Sequence, residues 1–203
     1  MRKKFVAFLW CVFALLVLAG VAGVWGVKRG WIGYMPPIAE LQSPINKYAS
    51  QVISADGRLM GTWSRNENRV FVGYDSISPH MFDALVATED VRFYDHSGID
   101  FRALMRAVVK RGVLGHKEAG GGSTITQQLA KQLYSSTAET TMQRLMQKPI
   151  EWVIAVELER HYTKEEILTL YLNYFDFLHN AVGIKTAANV YFGKSPKELT
   201  LTE

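Results

Sequence analysis

Between Phe5 and Val27 the chain runs for 23 residues without a charged side chain. In lipid, only a helix satisfies the backbone of a single apolar segment of this kind. The run is long enough for one tilted bilayer crossing and longer than the apolar stretch of a typical cleaved leader. Small residues from Leu18 to Gly23 leave cleavage as the minor alternative. Arg2, Lys3, Lys4 and the amino terminus slightly outweigh Lys28 and Arg29, so the expected topology keeps the N-terminus inside and exports the rest. Trp25, Trp31 and Tyr34 are expected at the outer interface. The lone cysteine, Cys11, falls inside the run as apolar filler, which leaves the exported part without thiol or disulfide chemistry.

This segment also explains the charge. The formal net charge is +4, but five basic and no acidic residues lie in the first 29 positions, leaving 18 basic against 19 acidic residues beyond them. The basic balance is a membrane flank and not a nucleic-acid-binding surface. The full 203 residues suffice for one ordinary core beside the anchor.

Residues 1–30 form the cytoplasmic tip and anchor in this reading, 31–77 a linker with a small β-rich segment, and 78–203 a mainly α domain. Tyr34-Met-Pro-Pro37 is a stiff exit from the membrane. Gln51–Ser54, the Asp56-Gly57 turn and Arg58–Trp63 read as a hairpin, with Arg69–Tyr74 as a third strand. Ser78-Pro79 opens a helix to about Asp90. Asp100 caps a second helix with Phe101, Leu104, Ala107 and Val108 on one apolar face. Residues 112–122 read as a loop, Ser123-Thr124 as the start of a third helix to Tyr134, and Ser135–Thr141 as a link. A long helix follows from about Pro149 to Arg160, and Thr163-Lys-Glu-Glu166 is a capping box for the next. Leu199–Glu203 resembles the beginning of a further helix, and a continuation is expected.

Two stretches carry chemistry. Glu89 is expected at the C-terminal end of its helix, where the dipole disfavours a negative charge, a placement suited to a general acid or base. Asp90, Phe93, His96 and Gly98 cluster after it. Gly120–Thr124 then offers backbone N–H groups, hydroxyls and a helix start for an anion, without the Gly-Lys-Ser/Thr of a nucleotide-binding loop. Thr124, Gln128 and Lys131 fall on one side of the following helix, and Arg144, Lys148 and Glu151 form a second stripe if Pro149 permits continuity. Two cations beside a carboxylate suit a diphosphate and its reacting sugar.

In order, E-D-x-x-F-x-x-H-x-G, G-G-S-T-I-x-Q-Q-L-x-K, K-x-x-E and E-E-I-L-x-x-Y-L-N…Y-F-G-K resemble the signatures of bacterial peptidoglycan glycosyltransferases. These are the transglycosylase domains of class A penicillin-binding proteins and monofunctional transglycosylases. The resemblance runs from about Met81 to Glu203. It implies a lysozyme-like helical transglycosylase domain, preceded here by the small β-rich segment and one transmembrane helix, in a bifunctional penicillin-binding protein.

By that resemblance Glu89 is the catalytic base acting on the acceptor sugar, and Glu151 is the second catalytic acidic residue, near the donor diphosphate and a divalent cation, Mg²⁺ or Mn²⁺. Lys131, Lys148 and Arg144 are diphosphate contacts. Ser123, Thr124, Gln127 and Gln128 are substrate-binding, with Asp90, Phe93 and His96 shaping the surroundings of Glu89. The implied partners are lipid II, the growing glycan chain, the membrane and other cell-wall synthesis proteins, with no nucleic acid. The implied location is the outer side of the bacterial cytoplasmic membrane, held by a single pass. A glycan-cleaving lysozyme-like enzyme and a non-catalytic anchored scaffold remain the alternatives. The chain departs from the family pattern at Gln147, at Gln132, and at Leu178 and Asn180, where glycines are usual.

Overall fold

A computed structural model describes residues 2–31, 35–41, 50–63, 69–113, 121–135 and 140–203. Helix α1 (Arg2–Lys28) is exposed along nearly all its length. Over Lys3–Lys28 its mean hydropathy reaches 2.7, and among the described residues it alone is long and apolar enough to cross a membrane. Cys11 is exposed on it. Trp25 and Trp31 meet edge to face at 4.9 Å, with the Arg29 guanidinium 4.7 Å from the Trp25 ring centre. Tyr34 and the loop residue Gly120 lie outside the described residues.

The end of α1 is buried at Gly26 and Val27, against α6 (Thr141–His161). There Lys28 Nζ donates to Glu157 Oε1 at 2.6 Å. Burial pushes the Glu157 carboxyl up, but Lys28 and Arg160 outweigh that and hold it below its ordinary value. The short helix α2 (Ile38–Leu41) is tied nearby, as Tyr162 Oη donates to Leu41 O at 2.8 Å and Tyr134 Oη to Glu40 O at 3.3 Å.

Strands β1 (Ser50–Ile53) and β2 (Leu59–Trp63) pair antiparallel through a turn containing Gly57 at φ 82, as the Asp56-Gly57 signal implies. The expected third strand does not form. Instead Val72 N–H donates to Asn173 Oδ1, and Asn173 Nδ2 donates to Val72 O, both at 2.9 Å. The Arg69 guanidinium lies 4.2 Å from the Tyr174 ring centre. Both backbone groups of Val72 are thus satisfied by the helical domain and not by the hairpin.

Within that domain, α3 (Pro79–Glu89) begins at Pro79 as expected, although Ser78 Oγ donates to Leu199 O and accepts nothing from the helix N–H groups. Asp100 caps α4 (Phe101–Ala107) by accepting from Ala103 N–H at 3.0 Å. A wider helical turn, Val108–Val113, extends α4 into what the sequence implied was loop. The expected apolar face does not enter the core: Phe101 is 69% and Val108 53% exposed, while Ala103 is buried. Helix α5 (Ile125–Tyr134) packs Ile125, Leu129 and Ala130 against α6 and α7 (Lys164–Tyr174). Ile154, Leu158, Ile167, Leu168 and Leu172 complete this interior, and α8 (Ile184–Phe192) adds Ile184 and Ala188.

Helix α6 begins earlier than expected and passes through Pro149. A capping box starts it, with Thr140 Oγ1 accepting from Gln143 N–H and Gln143 Oε1 from Thr140 N–H, each at 3.2 Å. Proline removes one donor, but the turns on both sides are fixed by the cap and by core packing, so the helix persists.

Two backbone constraints yield stability expectations. Gly98 has φ 88, and a Cβ there would lie 2.9 Å from Ala155 C and O. Gly98→Ala is expected to cost about 3 kcal/mol, combining left-handed strain with a backbone clash, and thermal unfolding in detergent measures it. Conversely, Leu178, His179 and Asn180 take φ 69, 51 and 63, a region that favours glycine. Because Leu178 is exposed, Leu178→Gly is expected to stabilise by up to about 1 kcal/mol in the same measurement.

Candidate active site

The glycine-rich entry to α5 lies against α4. A Cβ on Gly122 would come within 3.2 Å of Ala107 Cβ and 3.3 Å of Ala103 O, so the absence of a side chain eases this close approach. The result is a cavity of about 310 Å³ bounded by Glu89, Asp90, Arg92, Asp100, Arg106, Gly121, Gly122, Ser123, Thr124 and Gln128. Arg92, Asp100 and Arg106 were not singled out as site residues from sequence. Arg92 pairs with Asp100 at 2.5 Å. Burial pushes the Asp100 carboxyl up, but the Ala103 N–H and Arg92 outweigh it and hold it below its ordinary value.

Glu89 is the last residue of α3 and is exposed. Its Oε2 accepts from Gln128 Nε2 at 2.7 Å, and Gln128 Oε1 accepts from Tyr171 Oη at 3.0 Å. Asp90 takes a different part. Its Oδ2 accepts from Ile125 N–H at 3.2 Å, at the positive end of α5, and faces His96 Nε2 at 3.0 Å. Phe93 is wholly buried, edge-on to His96, with Lys164 Nζ 4.1 Å from its ring centre. Asp90, Phe93 and His96 therefore support the segment after Glu89 from behind.

Thr124 and Gln127 are both buried, and of the two only Thr124 reaches the cavity wall. Thr124 Oγ1 donates to Gly98 O at 2.7 Å and accepts from Gln127 N–H at 3.2 Å, while Gln127 Nε2 donates to the same Gly98 oxygen at 3.1 Å. Ser123 differs, because it is half-buried at the cavity wall and its Oγ accepts from Lys148 Nζ at 3.0 Å.

Lys148 joins the cavity to the α6 stripe. Glu151 is fully buried, with Arg144 Nη1 at 2.5 Å from Oε1 and Lys148 Nζ at 2.9 Å from Oε2. The Lys148 contact is an ion pair off the hydrogen-bonding direction. Continuity through Pro149 thus brings the three expected residues together. Lys131 is exposed on α5 and forms no ion pair among the described residues. Both Glu151 oxygens are matched by fixed cations, and among the described residues no three His, Cys, Asp or Glu side chains share a potential metal position.

What the arrangement offers is one exposed carboxylate beside a cavity, with a second, buried carboxylate holding two cations at its edge. The comparisons identify the family. A family model described as Transglycosylase matches residues 56–203. Penicillin-binding protein 1A of Escherichia coli (strain K12) is 38% identical over 200 residues, covering 98% of this chain and 23% of that protein. Penicillin-binding protein 1A of Aquifex aeolicus (strain VF5) is 42% identical over 169 residues, 83% of this chain and 22% of the relative. Penicillin-binding protein 1F of Bacillus subtilis (strain 168) is 42% identical over 137 residues, 68% of this chain and 18% of the relative. The chain thus spans about a quarter or less of the length of these relatives, and with most of its residues matched it belongs to the transglycosylase family.

Proposed function

We propose that this chain polymerises lipid II into glycan strands on the outer face of the bacterial cytoplasmic membrane, releasing polyprenyl diphosphate. The observation that carries the reading is the Ser123–Lys148 contact, which joins the Glu89 cavity to the cations held by Glu151. A base alone would serve many reactions. A base beside paired cations serves the expulsion of a diphosphate.

In the step, the 4-hydroxyl of the acceptor sugar attacks C1 of the growing donor chain. Glu89 takes the hydroxyl proton as the new C–O bond forms. The bond from C1 to the diphosphate breaks with inversion, and the leaving group keeps the electron pair. Arg144 and Lys148 offset the charge that develops there, and exposed Lys131 adds a third cation from α5. A divalent cation has no step in this reading. Cleavage of glycan by water needs no such cations, which favours polymerisation over the lysozyme-like alternative.

Both substrates carry lipids, so an anchored enzyme meets them in two dimensions. The apolar surface of α1 supports that setting. So do exposed Phe101, Met105 and Val108 near α4 and Met142, Leu145 and Met146 at the start of α6. The penicillin-binding names of the relatives support placing this reaction in a bifunctional cell-wall protein.

Glu89→Gln is expected to lower lipid II polymerisation by about 10²–10⁴-fold, with the melting temperature unchanged because the side chain is exposed. Near-wild-type turnover of this variant in a lipid II assay overturns the assignment. Glu151→Gln is expected to behave differently, losing activity and about 3 kcal/mol of stability together, since two cations lose their buried partner. A full-activity Glu151→Gln variant with an unshifted melting curve would remove the buried carboxylate from the scheme.

A further inference from the structure

Glu89 stands at the end of a helix, exposed, where the dipole gives its charge no help. A base in that position needs something to hold its carboxylate towards the reacting hydroxyl, because misplacement by an ångström is costly in rate. Among the described residues its one hydrogen bond comes from Gln128 Nε2 at 2.7 Å.

An amide has two faces of opposite character, and only one suits this contact. Ionised Glu89 accepts and does not donate, so Gln128 must present its NH₂. That orientation turns Gln128 Oε1 to the other side, where it requires a donor. Tyr171 Oη meets it at 3.0 Å. The reversed amide would set two acceptors against each other at Glu89.

We propose that Tyr171 is a positioning residue, whose hydroxyl locks the amide of Gln128 so that its NH₂ holds Glu89 in place for proton abstraction. The inference rests on the polymerase reading of the site and adds a residue to it. Tyr171 is suited to the task by its surroundings. It is 3% exposed, stacks on Phe175 with ring centres 5.4 Å apart, and sits on α7, whose start is fixed by the Thr163 and Glu166 capping box. Burial, and then the charge of Glu89, push its hydroxyl up to about 12. It therefore remains a protonated donor throughout the range in which a carboxylate base operates.

The relay also separates Tyr171 from a substrate contact. Tyr171 does not bound the cavity, whereas Gln128 and Glu89 do. Its influence should appear in turnover and not in substrate affinity, and it should require Gln128.

The test uses the full chain in detergent or liposomes with lipid II as substrate. Tyr171→Phe retains the ring stack and removes only the hydroxyl. Its kcat is expected to fall about three- to tenfold, the usual size of one lost hydrogen bond in a transition state, with KM unchanged. Gln128→Ala should lose at least as much, and adding Tyr171→Phe to it should cost nothing further. An unaltered kcat in Tyr171→Phe, a raised KM in its place, or losses that multiply in the double variant each overturn the relay. A wild-type chain that fails to polymerise lipid II instead overturns the polymerase reading. Independently of turnover, the Gln128 side-chain amide NMR signal should move in Tyr171→Phe, and an unmoved signal overturns the lock.

Discussion

The N-terminus of α5 is the point at which distant stretches of chain are tied together. Gly98 O receives two side-chain donors, Thr124 Oγ1 and Gln127 Nε2, while the N–H of Ile125 is taken by Asp90. Lys148 then reaches Ser123 from α6. Helix starts carry N–H groups without partners of their own. Here one of them is answered by the segment that follows Glu89, which fixes Glu89 relative to the cations. The same knot explains why Gly98 must be glycine, since its approach to Ala155 leaves no room for a Cβ.

Electrostatics sets the second limit. A fully buried carboxylate such as Glu151 is tolerated only when its charge is met in place, and Arg144 and Lys148 do so while remaining partly exposed. The carboxylate thereby keeps two otherwise flexible cations at one edge of the cavity. Preorganised charge of this kind needs little rearrangement when negative charge appears nearby.

Local chemistry made much of this legible in sequence. Asp100, the Thr163–Glu166 box and the Asp56-Gly57 turn act within a few residues of themselves, and each forms where the pattern puts it. Of the motif residues, Glu89, Ser123 and Gln128 meet at the cavity and Lys148 reaches it through Ser123, while Lys131 stands exposed on α5 outside its lining. What the pattern concealed depends on partners far along the chain. Arg69–Tyr74 has the composition of a strand, yet Asn173 decides its fate. Phe101 and Val108 have helical spacing, but spacing does not say whether an apolar stripe meets a core or another apolar medium. Tyr171 stands in the E-E-I-L-x-x-Y-L-N motif with no role that spacing reveals, because its hydroxyl acts on an amide 43 residues away. Likewise Asp90 and Thr124 reach the cavity wall while Phe93, His96 and Gln127 lie behind it, a division that only coordinates make.

The tie between Lys28 and Glu157 has a consequence for geometry. Helix α6 carries the anchor's contact near one end and Lys148 nine residues earlier, a separation of about 14 Å along the axis at 1.5 Å per residue. The helix is thus a ruler between the end of the apolar helix α1 and the cations paired with Glu151. Its graduations are angular as well as linear: one inserted residue between Lys148 and Glu157 would turn the two groups apart by about 100°. Reach and bearing from the apolar helix are consequently built into a single rod.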